Sequence, residues 1–389
     1  MIAWFRYICL IVSLIITMPE LLSAQRLVSQ RQEDVEAGLL YNESVYILSN
    51  YSCLSSNSPE KLSLDELLRK QIEGFYFYLK RDTETNVLLL RKPDGTFTPF
   101  SESLEAIKTA LDADSTKVMT LFLDFYVETE LESSFKEIGL MEYVLEYDTK
   151  NGWPSLKDML SSGKRLVVFE VQKHLNSPSW LHNMRDFVEH TDADWGNQPE
   201  GVESFDERLK KNLSLFTGYK FLETSRGNSN DISALARQTP YLIESFKRAW
   251  IRDGRVPNFI LVDKYYAWLD VSLVTFRNFD IIYGAVTNNN ELLNYVNWDG
   301  MSNYTTGKYC FPLEPGAELM LSPISPGYRI EPTTVYVSGT QRKAFASDFK
   351  ARPLRIDEDI EIYLPFEGDE KDGSSNHNLT CLLYTSPSP

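Results

Sequence analysis

Histidine is the scarcest chemically versatile residue in this 389-residue chain: there are four, and none precedes His174. The first 173 residues therefore hold no imidazole for proton transfer near neutral pH or for metal ligation. Cysteine is equally sparse. Cys9, Cys53, Cys310 and Cys381 are too few for a disulfide-packed mini-protein. Positive charge is in deficit, with 39 Lys and Arg against 55 Asp and Glu and a net charge of −16. An acidic surface repels phosphate backbones, which excludes nucleic acid as a general partner but leaves room for a local basic pocket. No Gly-rich phosphate fingerprint and no internal repeat appears, which counts against a dinucleotide fold or a solenoid. What is present is a globular composition, 43% hydrophobic and 13% aromatic. The length suits one domain of roughly 250–300 residues plus a smaller module.

The two ends read differently from the middle. Residues 1–24 have the form of a signal peptide: Arg6, then an apolar run from Tyr7 to Met18, then Leu22-Ser-Ala24 before Gln25. The rival reading is an uncleaved anchor, but the run is shorter than the ~20 residues that cross a bilayer. Cleavage predicts a secreted protein, extracellular or periplasmic, with no transmembrane segment in the mature chain. Residues 381–389 read as translated sequencing-library adapter, and 367–380 as a polar linker that is then cut short. With Cys9 and Cys381 set aside, Cys53 and Cys310 remain as a disulfide candidate, two buried thiols being the alternative. Five glycosylation sequons begin at Asn42, Asn50, Asn212, Asn303 and Asn378.

Between the ends, apolar strand-like runs alternate with amphipathic helices. Strands are expected at Val45–Leu48, Phe75–Leu79, Val87–Leu90, Val118–Tyr126, Arg165–Val171, Tyr219–Leu222 and Asn258–Asp263. Helices are expected after the capping box Ser63-Leu-Asp-Glu66, over Ser101–Leu111 and Glu130–Leu140, from Ser155 to a stop at Gly163, and around Tyr241–Ile251. Continuous β-branched and aromatic strands alternating with helices indicate a parallel sheet covered on both faces. Alternation over more than 200 residues favours an α/β fold of distorted TIM-type (β/α) barrel form over residues 25–295. Beyond 300, repeated prolines and short β-like pieces such as Thr334–Val337 and Ile360–Leu364 indicate a β-rich appendage over 300–366.

Several segments carry a resemblance: Val118-Met-Thr-Leu-Phe-Leu-Asp124, the long block Gly152–Phe169 with its Trp-Pro-Ser-Leu and Ser-Gly-Lys-Arg-Leu-Val-Val-Phe pieces, Ser179–His182 and Pro257–Asp263. Over roughly residues 40–285 the chain resembles the phosphatidylinositol-specific phospholipase C X-like phosphodiesterases, in particular their secreted, metal-independent branch. The resemblance implies a distorted TIM-type barrel, phosphodiester cleavage without metal or cofactor, and a phosphorylated or lipid headgroup as ligand. It also implies two histidines, as acid and base, and one arginine on the phosphate.

Those residues are missing. Ser49 stands where the first histidine is implied and Asn50 matches the asparagine after it. Tyr76 stands in place of the arginine, and Arg91 in place of the second histidine, with Lys92 beside it. Arginine titrates above pH ~12 and cannot shuttle a proton, and a serine needs its own base. Losing an acid or base costs roughly 10²–10⁴-fold in rate. The expectation is a binding or interaction module on a phosphodiesterase fold, with Arg91 and Lys92 as anion-binding candidates. One alternative is an active phosphoric diester hydrolase using His174 or His182 with Arg91. Another is a carboxylate-based glycoside hydrolase, because Asp124, Glu170 and Asp263 fall at strand ends, where barrel enzymes keep catalytic groups. No histidine has metal-ligand spacing to a second histidine or cysteine, so no metal site is expected.

Overall fold

The computed structural model describes residues 31–52, 62–70, 72–125, 131–172, 177–191, 256–262, 277–301, 304–339 and 342–355, with shorter pieces at 174, 215–218, 247, 250–251 and 254. The expected signal peptide, Cys53, Asp263, the pieces 219–222 and 360–364, and the linker and tail lie outside the described residues, as does most of the helix expected at 241–251. The chain forms two units. Unit 1 runs to Trp250 and adds Arg255–Asp280 and Gln341–Lys343. Unit 2 comprises Ile251–Gly254, Ile281–Thr340 and Ala344–Pro389.

Unit 1 is α/β, and its described residues form ten strands: β1 (Tyr46–Ser49), β2 (Gly74–Arg81), β3 (Leu88–Arg91), β4 (Phe97–Pro99), β5 (Met119–Asp124), β6 (Leu166–Glu170), β7 (Leu181–Asn183), β8 (Val188–Thr191), β9 (Leu215–Gly218) and β10 (Phe259–Val262). Eight of them lie in the order β7-β6-β5-β2-β1-β10-β9-β8, and every pairing along that path is parallel. Strands β3 and β4 extend β2 as an antiparallel flap.

Such a sheet cannot be flat. Strands β7 and β8 stand at opposite ends of the order, yet only the helical turn Met184–Phe187 joins them. Eight flat strands would hold their outer members about 34 Å apart, whereas the link spans at most ~18 Å. The sheet therefore curls until its ends approach. Rings across the interior agree: Phe259 of β10 meets Phe122 of β5 at 5.3 Å and Phe169 of β6 at 6.2 Å between centroids. These strands are three and four places apart in the order. The architecture is the expected TIM-type arrangement, left open between β7 and β8, with no hydrogen-bonded pairing there among the described residues.

Local sequence explains the covering helices. Helix Leu64–Arg69 begins with the predicted capping box: Ser63 Oγ accepts from the Glu66 amide at 3.3 Å, and Glu66 returns to the Ser63 amide at 2.7 Å. Helix Phe100–Ala113 buries Phe100, Leu104, Ile107 and Leu111, one stripe at helical spacing. Helix Leu156–Ser162 is capped by Ser155 and ends on Gly163 at φ +74°, the left-handed conformation glycine adopts without strain. Close strand packing needs one more glycine. A Cβ on Gly74, at the start of β2, would run into the Thr120 carbonyl of β5 and press on Leu48 Cγ at 3.0 Å.

At the N-terminal ends of the strands lies a buried ionic cluster. Glu73 accepts from Arg31 and from the Ile47 amide at 3.2 Å, and it is ion-paired with Arg277 Nη2 at 3.0 Å. Asp34 accepts from Arg342 Nε at 2.6 Å, and Arg342 donates further to the carbonyls of Arg277 and Phe279. Burial works against the Arg31 charge, but Glu73, Tyr46 and Asp34 outweigh it and raise its pKa. At this end the barrel holds ions for structure.

Unit 2 is the β-rich C-terminal module. Its strands form a five-stranded, a three-stranded and a two-stranded sheet around Trp298, Tyr309, Phe311 and Phe349. It holds buried Cys310, and no disulfide forms among the described residues.

Two outcomes follow. Gly74→Ala should lower stability by roughly 1–3 kcal/mol, the usual cost of overpacking, read from urea midpoints at unchanged slope. Burial lifts the Asp280 carboxyl to about 6 from its ordinary 3.8, with Arg342 opposing and Glu33 adding. A carboxyl raised on folding contributes stability that is full below about pH 4 and lost as pH rises through about 6. Asp280→Asn should therefore stabilise the protein relative to the parent at pH 7 and not at pH 4, in the same urea assay.

Candidate functional site

Parallel strands bring their C-terminal ends to one rim, and register decides which face each residue takes. Tyr76 is in register with Phe122, and Tyr78 with Asp124. Side chains alternate along a strand, so Tyr76, Tyr78, Phe122 and Asp124 share the inner face on which Phe122 meets Phe259. Tyr76 donates its hydroxyl to Asp124 Oδ2 at 2.8 Å. Asp124 Oδ1 is buried and has no partner among the described residues.

The flap adds a cation. Arg91 closes β3 with its guanidinium carbon 5.7 Å from the centre of the Tyr78 ring. Ser52 pins the loop after β1 to both strands: its hydroxyl donates to the Arg91 carbonyl at 2.9 Å and accepts from the Tyr78 amide at 2.8 Å. Lys92 opens a turn in which the Gly95 amide donates to its carbonyl at 2.9 Å, and its half-buried side chain belongs to that turn. Tyr76, Tyr78, Asp124 and Arg91 thus gather at one end of the sheet.

Ser49 does not join them. It is buried and in register with Phe75, which places it on the outer face, where Phe75 and Phe77 stack at 5.4 Å. Asn50, the next residue, is half-buried. Register also separates the strand-end carboxylates. Glu170 is in register with Leu123, one residue short of Asp124, so the two acids lie on opposite faces of neighbouring strands.

On the outer face Glu170 forms its own constellation. Its Oε2 lies 3.0 Å from His174 Nδ1 and accepts from Ser177 Oγ at 2.5 Å, while Oε1 accepts from Asn183 Nδ2 at 3.3 Å. The His174 ring stacks on Phe125 at 4.3 Å and 4°. A buried carboxylate holding one ring nitrogen is the orienting half of an acid–base pair. Sequence reading named His174 and Glu170 separately but missed the pair. Their i,i+4 spacing across a strand end was the available signal. Ser177 and Asn183 gave none.

His182 takes the inner face, in register with Phe169. It donates from Nε2 to the Leu145 carbonyl at 3.2 Å. Trp153, Phe169 and Phe187 enclose the ring at 5.8, 5.7 and 5.5 Å. Burial pushes its pKa below the ordinary histidine value, with the Leu145 hydrogen bond resisting. The ring is neutral and locked at neutral pH. Among the described residues no group of three or more His, Cys, Asp or Glu side chains could hold a metal ion, and no helix is long and apolar enough to cross a membrane.

Comparison with known proteins follows the same line. The family model described as PI-PLC X 1 matches residues 90–199. That span takes in Arg91, Asp124, Glu170, His174 and His182 and leaves Ser49 and Tyr76 outside. Among solved structures, the chain is similar to the phosphatidylinositol-specific phospholipase C of Listeria monocytogenes, at 12% identity and a TM-score of 0.40, over 62% of this chain and 95% of that one. It is also similar to the F249X mutant of the Staphylococcus aureus enzyme, at 13% identity and a TM-score of 0.39, over 62% and 96%. No curated protein matches. Residues 90–199 of the chain are thus phosphatidylinositol-specific phospholipase C X-like.

The Tyr76–Asp124 bond is testable by itself. Tyr76→Phe should cost about 1–3 kcal/mol, because Asp124 then loses its side-chain donor among the described residues. A double-mutant cycle with Asp124→Asn, read by urea unfolding, should return a coupling above roughly 0.5 kcal/mol.

Proposed function

We propose that this protein is a secreted phospholipase-C-like barrel that binds a phosphorylated polyol headgroup at its mouth and does not cleave it. The observation that carries this reading is the state of Tyr76. Where the resemblance implies an arginine on the phosphate, a tyrosine donates to Asp124; His174 lies on the outer face with Glu170, and His182, on the inner face, is bonded to the Leu145 carbonyl and enclosed by Trp153, Phe169 and Phe187. Tyr76, Tyr78 and Arg91 offer hydroxyl and guanidinium donors with which to hold a ligand. The unpartnered Asp124 Oδ1 is an acceptor for a ligand hydroxyl, and the Arg91 guanidinium is a fork for a phosphate. Extracellular or periplasmic location rests on the N-terminal signal pattern.

A second reading, an active phosphoric diester hydrolase with rearranged residues, draws on the Glu170–His174 pair, an oriented imidazole on the opposite face of the strand layer. The glycoside hydrolase reading needs two carboxylates flanking one bond, and register separates Asp124 from Glu170.

Purified protein incubated with phosphatidylinositol vesicles, and separately with bis(p-nitrophenyl) phosphate, should show no turnover above background. Calorimetric titration with myo-inositol 1-phosphate should show binding, weakened about tenfold or more in Asp124→Asn and in Arg91→Ala, the scale of one charge-assisted hydrogen bond. Turnover that disappears in His174→Ala would establish the second reading instead. Absence of binding, with no effect of either substitution, would remove the first.

A further inference from the structure

Most of the large exposed hydrophobic side chains among the described residues belong to unit 2, and one group of them is built as a site. The strand pieces Tyr304–Thr305, Val296–Trp298 and Pro323–Ile324 form an antiparallel three-stranded sheet. Register places Tyr304, Asn297 and Ile324 in one transverse row. Val296, Trp298 and Thr305 take the other face and are buried. Tyr304 is 45% exposed and Ile324 53%. Tyr295, two residues before Asn297 and 40% exposed, sets its ring beside Tyr304 with centroids 5.0 Å apart and a 32° tilt.

Three further contacts fix this platform. The Tyr295 hydroxyl donates to Asn297 Oδ1 at 2.9 Å. Ser325 Oγ donates to the Tyr295 carbonyl at 2.8 Å. Beneath the row, Trp298 Nε1 donates to the buried Thr305 Oγ1 at 2.8 Å, stitching two of the strands. The Asn297 side-chain orientation is thereby set, because its oxygen is taken and its N–H groups are left to donate.

We propose that Tyr295, Asn297, Tyr304 and Ile324 form a binding site for a neutral oligosaccharide. The row covers two strand spacings of about 4.8 Å, the length of two linked sugar rings. Tyrosine offers an apolar face to the C–H side of a sugar and a hydroxyl at its edge, and the fixed amide offers donors to sugar hydroxyls. No charged side chain belongs to the row, in a chain of net charge −16. That combination suits an uncharged polyol and disfavours an anionic membrane surface or a nucleic acid. Because the contacts beneath hold the rings in place, binding needs little side-chain ordering. The site is independent of the barrel mouth and of the reading given to it.

Affinity electrophoresis of the full chain in native gels containing neutral soluble polysaccharides (laminarin, hydroxyethylcellulose, xylan or galactomannan) tests the proposal. At least one should retard the protein. Tyr304→Ala and Tyr295→Ala should each weaken that retardation at least tenfold, with an unchanged melting temperature. Tyr336→Ala removes a 75% exposed tyrosine of the same unit from outside the row and should leave retardation within twofold. Retardation by none of the four, or equal retardation of Tyr304→Ala, would overturn the proposal. So would binding to phosphatidylcholine vesicles, or a dimer detected by light scattering, that Tyr304→Ala abolishes while no polysaccharide retards the parent.

Discussion

One connection constrains the rest of unit 1: the four residues Met184–Phe187 between strands at the two ends of an eight-strand order. A link that short forces the sheet to close on itself, and closure creates an inside and an outside. Phe122, Phe169 and Phe259 meet across the inside. The helices and the Phe75–Phe77 stack cover the outside. Every statement about which polar groups can meet at the rim then reduces to strand parity. Tyr76 reaches Asp124 because both lie two residues apart in register on the inner face. Ser49 and Glu170 are a single residue out of phase with that set, and this is enough to turn them away.

The two ends of the barrel are put to different uses. At the N-terminal ends, three guanidiniums and two carboxylates, with backbone carbonyls as further acceptors, lock Arg31, Asp34, Glu73, Arg277 and Arg342 together in the interior. Buried ions of this kind are costly when broken and bring little net stability when intact, so their effect is to fix which segments meet. At the C-terminal ends Asp124 Oδ1 is buried with no partner among the described residues. Unsatisfied acceptors belong where a ligand can complete them, and barrel folds place their chemistry at that end.

Much of the scaffold was legible. Strands β1, β2, β3, β5, β6 and β10 were readable because each is a continuous apolar or aromatic run, the mark of a strand buried on both faces. The Ser63 capping box and the Gly163 stop were readable because caps act through local hydrogen bonds and local backbone conformation. Strands β4, β7, β8 and β9 left no such trace. They are three or four residues long, and pieces such as Leu181-His-Asn183 and Val188-Glu-His-Thr191 carry polar residues that single-strand patterning assigns to loops. The site was legible as a list and not as a set. Asp124, Tyr76, Arg91, Glu170 and His174 were all named, but their partners were not, and Ser49 was grouped with residues on the other face.

Composition and order along the chain settled that no imidazole is available before His174 and that the fold is α/β with a parallel sheet. Those properties depend on residue identity and on neighbours within one element, so they can be read without coordinates. Only the tertiary structure decided that Tyr76 serves Asp124, that His174 belongs to Glu170, and that Tyr295 and Tyr304 stand side by side. Each of these pairings depends on the register between strands or on the course of a loop, quantities set by the curl of the sheet and by packing across it, which no local pattern encodes.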